Sequence, residues 1–438
     1  MIAIASGHPE VDATLAVRRR TLTLALLTLV YFFSYMDRQI LAILLELIKA
    51  DLRLSDAQLG MLSGLAFAIF YAGLGIPVAR LADRKNRRNI IAIALSLWSA
   101  MTALCGLAQN FVQLLLFRIG VGVGEAGSSP PSHSIIADLY PPEKRASAMA
   151  IYATGVVLGG GFGTMIGGTI AGYFGWRWAM ILVGIPGIIL AIIVRLFVVE
   201  PKRGMSDAQL AVDKEAMPSV GSAFAGMWRS RPAFHLVMAV TITSLIGYGL
   251  TSFGPSYLQR SLGFSIQKVA LLVAPIAAIV GAFSGIVGGR IADKVSERYG
   301  IHAQSWMVAI LKCLALPFTF LFFLTDSPTI AVVAYSFQYL FASSYLGPTF
   351  ALIQGLAPLK VRALWAAVTL LVINMVGLGL GPLGIGLISD ALRPRFGDES
   401  LRWAMVMMAA LTPWAIFHYW RAGVLLKRRD AIPVVATA

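Results

Sequence analysis

Asp37, Arg38, Arg118 and Glu125 stand inside long apolar stretches in the first third of a 438-residue chain. A charge at the centre of a bilayer costs roughly 3 kcal/mol or more, so charges kept there mark proton or substrate pathways by default. Two acids beside two bases have the chemistry to bind and release protons, or to hold an anion. Of the 21 acidic residues, only Asp37 and Glu125 fall well within an apolar stretch. Lys312 is the fifth embedded charge. Its own stretch offers it no acid, so a snorkelled ammonium touching lipid headgroups is expected.

The elements that position these charges follow from composition. The chain is 58% hydrophobic and 13% charged, with a mean hydropathy of +0.77, far more apolar than a soluble domain of this length. Runs near twenty residues, each able to cross a ~30 Å hydrocarbon core, recur between short polar loops. Twelve spans are expected, over 21–45, 58–80, 89–107, 111–137, 146–172, 177–197, 233–256, 267–289, 302–324, 329–357, 364–389 and 403–424. With the N-terminus inside, 25 of the 36 Lys and Arg residues lie on the cytoplasmic side, 8 outside and 3 within spans. This is the positive-inside bias, so the +15 net charge requires no nucleic acid, and both termini are expected in the cytoplasm. Basic clusters such as Arg18, Arg19 and Arg20 abut spans and reach anionic headgroups. Cys105 and Cys313 both fall in spans, which leaves no disulfide or zinc framework.

The chain also repeats. Ser55 and Asp83 return 210 residues later as Ser265 and Asp293. Pro131, Leu139, Pro141, Arg145 and Ala146 return 217 residues later as Pro348, Leu356, Pro358, Arg362 and Ala363, and Arg177, Trp178, Ala179 and Met180 match Arg402, Trp403, Ala404 and Met405. Three ordered matches indicate two related six-span halves, 1–197 and 233–438, joined by a cytoplasmic linker over 198–232. The end of the linker, Ser219 to Arg229, reads equally as a short amphipathic surface helix or as a plain loop.

Glycine patterns belong to packing. Gly122, Gly124 and Gly127 spell G-x-G-x-x-G, but within a span and without the strand that a dinucleotide site needs. Gly155, Gly159, Gly163, Gly167 and Gly168 in span five, and Gly377, Gly381, Gly384 and Gly386 with Pro382 in span eleven, let helices approach closely.

Counting at ~1.5 Å per residue puts Asp37 ~24 Å from the cytoplasmic start of span one, and Arg118 ~11 Å from the outer start of antiparallel span four. The two are then level in the outer half of the membrane, with Glu125 two turns deeper on almost the same helix face. Loss of water and the approach of an arginine act oppositely on an acid, so a motion that changes both changes its proton affinity. On this reading Asp37 is the principal proton carrier, Arg38 and Arg118 tune it, and Glu125 is a second acid. The alternative is a static ion-pair network. His133 reads as a packed polar residue. Spans seven and ten carry no Asp, Glu, Lys or Arg. Thr243, Tyr248, Gln338, Ser344 and Tyr345 give them a neutral, amphipathic wall, facing Phe67, Phe70 and Tyr71. A substrate with one charged head, near Arg38 and Arg118, and an apolar body fits so lopsided a cavity.

Two parallel six-helix halves, with Asp83, Arg84, Arg87 and Arg88 after span two, Asp293 after span eight and Glu143 and Arg145 after span four, resemble the major facilitator superfamily over the whole chain. The resemblance implies an all-α membrane fold of two pseudo-symmetric bundles with spans one, four, seven and ten around a central cavity. It also implies that these residues, with Arg362, form a cytoplasmic gate that holds the halves together when the protein faces outward; a solvated basic loop is the alternative, but leaves the repeated Asp unexplained. Ala79 and Asn86 stand where that loop pattern has Gly. Tyr35, Met36, Asp37 and Arg38, with Arg118, Gly124, Glu125, Ala126, Pro131 and Asp138, resemble the spinster branch of that superfamily. This implies a proton-coupled transporter of a lysophospholipid or sphingosine-phosphate-like lipid, working by alternating access as a monomer in a bacterial inner membrane. An organic-anion symporter or drug exporter is the closest alternative, and a receptor built on a transporter fold a more distant one. The expected energy source is the proton gradient, with no cofactor or metal. No nucleophile, base and orienting group at recognisable spacing marks an enzyme, and no G-x-x-x-x-G-K-[ST] marks an ATP site.

Overall fold

The computed structural model describes residues 13–206, 220–358 and 361–430, and all its regular elements are helical. The linker segment 207–219 and both chain ends, including the expected cytoplasmic termini, lie outside the described residues. Spans one to nine are Ala13–Leu52, Asp56–Ala82, Arg87–Cys105, Phe111–Leu139, Pro142–Phe174, Trp176–Phe197, Arg231–Arg260, Ile266–Tyr299 and His302–Leu324. Span ten is Pro328–Ala342 followed by Leu346–Leu356, span eleven runs from Arg362 to Phe396 with a wide-turn stretch at Ile373–Leu380, and span twelve is Ser400–Ala409 with Thr412–Asp430. The helices overrun the apolar runs by several residues, because their polar first and last turns emerge from the hydrocarbon while the backbone bonding continues.

The repeat has a local physical basis. Ser55 and Ser265 each cap the start of their span, the hydroxyl accepting from the backbone N–H of Gln58 and Lys268 at 3.2 Å in both cases. A five-residue wide turn follows each cap, Met61–Leu65 and Val269–Val273. Spans four and ten break at residues 126–128 and 343–345, again 217 residues apart. The halves differ at the repeated aspartate: span two ends at Asp83, whereas the span-eight helix runs past Asp293 to Tyr299.

Small residues set the helix spacing. A methyl group added at Gly159 would lie 2.2 Å from the Phe32 carbonyl oxygen, so span five lies directly on span one only because glycine is there. The G-x-G-x-x-G of span four does the same, with Gly122 against Phe67 and Gly124 against Trp98. The linker end forms a helix, Val220–Arg229, that buries Met227 in a cluster with Trp365, while Phe224 and Trp228 stack on its exposed side.

Candidate functional site: a charged aromatic cluster

Span four stops helical bonding just after Glu125, and Pro130 and Pro131 restart it. Glu125 is fully buried at that break. Its Oε2 accepts from Arg38 Nε at 2.7 Å and from Ser34 Oγ at 2.7 Å. The Arg38 guanidinium lies over three rings, 4.8 Å from Tyr35, 4.8 Å from Phe67 and 4.4 Å from Tyr71. Phe67 and Tyr71 stack on each other one turn apart in span two. Asp37 points away from this pair. It is 1% exposed, its Oδ2 accepts from Thr102 of span three at 3.1 Å, and its Oδ1 has no hydrogen-bond partner among the described residues.

The pairing differs from the depth count. Glu125, placed below the others by residue counting, is the acid that binds Arg38. The count follows backbones, whereas a long guanidinium arm spans more than one turn, and the break at 126–128 leaves Glu125 free to meet it. Arg118 is buried 5.8 Å from the Phe67 ring, with no acid within 4.0 Å among the described residues and with Nε and Nη1 unpartnered. From the other half, Tyr248 and Leu378 pack onto the cluster that holds Phe67 and Tyr71. Phe70 and Gln338 are half-buried, Thr243 is buried without a partner for its hydroxyl, and Ser344 is tied to Ser284 across spans eight and ten at 2.7 Å. His133 is exposed and meets the Tyr152 ring edge-on.

Lys312 corrects its expectation. It is 6% exposed and turned into the C-terminal half, with Nζ 4.6 Å from the Tyr345 ring centroid. Sequence gives the residue type but not the rotation of span nine.

At the ends expected to face outward the two halves are latched. Asp56, at the start of span two, accepts from Arg260 of span seven at 2.9 and 3.0 Å, from Lys49 at 2.5 Å and from Ser389 of span eleven at 2.6 Å. Arg260 also pairs with Glu46 at 2.6 Å, and the Asp390 carboxylate accepts from the backbone N–H groups of Asp56 and Ala57. Around this latch, residues 56–68 pack on 378–390 and residues 161–172 on 266–278. No repeat or motif marked these residues, since the contacts that join the two halves link helix ends more than 200 positions apart.

At the opposite helix ends, expected on the cytoplasmic side, Asp83, Arg84, Glu143, Asp293 and Arg362 are exposed and make no ion pair among the described residues. Arg87 is 1% exposed and locked within the N-terminal half, to Asp138, to Glu200 Oε1 at 2.7 Å and to Ser134 at 2.8 Å. The backbone N–H of Arg88 donates to Glu200 at 2.8 Å, and Arg145 donates to the Ala137 carbonyl at 2.9 Å. The halves are thus joined by charge at the ends that carry Asp56 and Arg260, and no ion pair joins them at the opposite ends among the described residues.

The comparisons agree with this geometry. The model of the Major Facilitator Superfamily matches residues 27–382. An MFS-type efflux pump of Mycolicibacterium smegmatis is 34% identical over 95% of both chains, and protein spinster homolog 1 of Xenopus laevis is 27% identical over 86% of this chain and 74% of its own. A solved structure of a bacterial homologue of the human lysosomal transporter Spinster, inward-facing and unoccupied, superimposes with a TM-score of 0.85 at 32% identity, covering 95% of this chain and 99% of the other. The protein is thus a multi-pass membrane transporter, not an enzyme, and belongs to the Major Facilitator Superfamily with spinster-like relatives.

Proposed function

We propose that this transporter moves an amphipathic lipid, of lysophospholipid or sphingosine-phosphate type, by alternating access coupled to protons. The observation that carries the reading is the division of labour between adjacent residues. Arg38 has its charge met by Glu125, whereas Asp37 is buried with one oxygen unpartnered and no cation within 4.0 Å among the described residues. A carboxyl so placed is sensitive to any motion that brings water or Arg118 nearer, which is the requirement for a proton carrier. Asp37 is the principal carrier and Glu125 the second acid, with Arg38 and Arg118 as tuning and headgroup-binding groups. The apolar body of the substrate would run along Phe67, Phe70, Tyr71 and Tyr248. Likeness to spinster proteins supports the lipid class.

Uptake of lysophosphatidylcholine into proteoliposomes, with and without a proton gradient, tests this. Wild type should respond to the gradient, and Asp37→Asn should move lipid only downhill. Full gradient dependence in Asp37→Asn would remove the assignment. A second reading, export of drug-like amphiphiles or symport of an organic anion, draws on the 34% identity to the mycobacterial efflux pump. The same liposomes offered a cationic dye and a small aromatic acid separate it, since preferential flux of either would replace the lipid reading.

A further inference from the structure

The C-terminal half holds a buried lysine that no acid among the described residues pairs with. Lys312 sits near the middle of span nine, and its Nζ has neither a hydrogen bond nor an ion pair among the described residues; it lies over the face of Tyr345, 4.6 Å from the ring centroid. A lysine kept inside an apolar span with no protein acceptor is costly, so its retention points to an occupant that supplies negative charge. The surroundings offer hydrogen bonds as well as charge. Tyr345 lies at the break of span ten, beside Ser344. Ser244 and Thr243 of span seven, which packs on span ten, have buried hydroxyls with no hydrogen bond within 3.5 Å among the described residues, Ser244 lying toward Tyr345 and Thr243 toward Tyr419.

The repeat gives an independent reason to see a site here. Offsets of 210 to 217 residues align Lys312 with residues 95–102 of span three, and there Thr102 reaches inward to hydrogen-bond Asp37. Span nine presents its lysine from the corresponding place, but the matching stretch of span seven carries no acid. In the N-terminal half the acid is built in. In the C-terminal half it must come with the cargo.

The geometry points to Lys312, with the span-ten break at Tyr345 and the hydroxyls of Thr243 and Ser244, as a binding site for the anionic headgroup, phosphate or carboxylate, of the transported amphiphile. This inference rests on the amphiphile reading above and adds to it: Lys312 of the C-terminal half joins Arg38 and Arg118 of the N-terminal half as a headgroup-binding group, and of these Arg38 already has its charge met by Glu125. A cargo gripped by both halves is what rocking of one half against the other requires.

Binding to the purified full-length protein in detergent tests the site, with 1-oleoyl-lysophosphatidate against monooleoylglycerol, which has the same chain and no charge. Wild type should prefer the anion by about tenfold or more. Lys312→Gln and the volume-matched Lys312→Met should lose that preference with monooleoylglycerol affinity unchanged, and Lys312→Arg should restore most of it. Competition by inorganic phosphate in wild type, absent in Lys312→Gln, would support recognition through the headgroup alone. A preference that survives without competition by phosphate supports a lipid-borne headgroup. No anion preference in wild type, equal losses for both lipids, or a preference intact in both neutral variants would overturn the site. Flux keeps the two readings apart: anion binding without lipid transport defeats the proposed function and spares the site, whereas gradient-driven lipid transport with Lys312→Gln still anion-selective defeats the site alone.

Discussion

Glu125 and Arg38 are buried charges that satisfy each other, and such pairs fail asymmetrically. Removing one partner leaves the other uncompensated at a cost of about 3–5 kcal/mol, while the intact pair contributes little net stability. Glu125→Gln should therefore destabilise the protein by a few kcal/mol in that range, and Arg38→Lys should also weaken it, because an ammonium cannot make the planar contact with Tyr35, Phe67 and Tyr71. Thermal unfolding in detergent checks both, and a midpoint unchanged in Glu125→Gln would show that the pair bears no load. Asp37→Asn replaces a group whose only hydrogen bond comes from Thr102, so it should leave the midpoint close to wild type while altering coupling. That these residues matter was legible in the sequence from their cost in hydrocarbon. Which acid meets which base was not, because pairing depends on side-chain reach and on a helix break, and Lys312 shows the same limit: a lone lysine in an apolar run fits the headgroup region and the protein interior equally well until the helix rotation is known.

At the scale of elements, the most legible signal was spacing. The 210-residue return of serine before spans two and eight is a repeated N-cap, and the 217-residue return of proline marks repeated breaks in spans four and ten. Replacing Ser265 by alanine should cost about 1 kcal/mol, the usual worth of a cap, observable as a small drop in thermal midpoint. The Arg87 lock is a stronger element-level constraint, since it joins the start of span three to Asp138 of span four and to Glu200 at the linker entrance. Sequence grouped Arg87 with Arg84 and Arg88 in one basic run, read by resemblance as a gate between the halves. Burial separates them, with Arg87 inside and Arg84 in solvent. Arg87→Ala should cost about 3–5 kcal/mol, whereas Arg84→Ala should leave stability nearly unchanged. Equal effects in urea or heat unfolding would mean that the lock is not formed in solution.

For the whole molecule, the arrangement of charge decides which face is open. The outer latch joins spans one and two to spans seven and eleven through Arg260, Asp56, Glu46 and Asp390, and no comparable pairing joins the described cytoplasmic ends. A latch present in only one of two states biases their equilibrium by its own free energy. Arg260→Gln removes the charge shared by Asp56 and Glu46 but leaves Asp56 its bonds to Lys49 and Ser389, so the loss should be partial, about 1.5–3 kcal/mol. That corresponds to a shift of roughly 10–150-fold away from the latched state. Substitution of Arg84 and Arg362 should act in the opposite sense if these residues pair only when the cytoplasmic side closes. Spin labels at Lys144→Cys and Lys294→Cys, both exposed on that side, in a Cys313→Ser background because Cys313 is exposed, read the separation directly. Arg260→Gln should add or enlarge a short-distance population, and the Arg84 and Arg362 substitutions should deplete it. A distance distribution unmoved by Arg260→Gln would mean that packing of 56–68 against 378–390, with small residues such as Gly60 and Gly386 letting the backbones touch, holds the outer side shut without the charges.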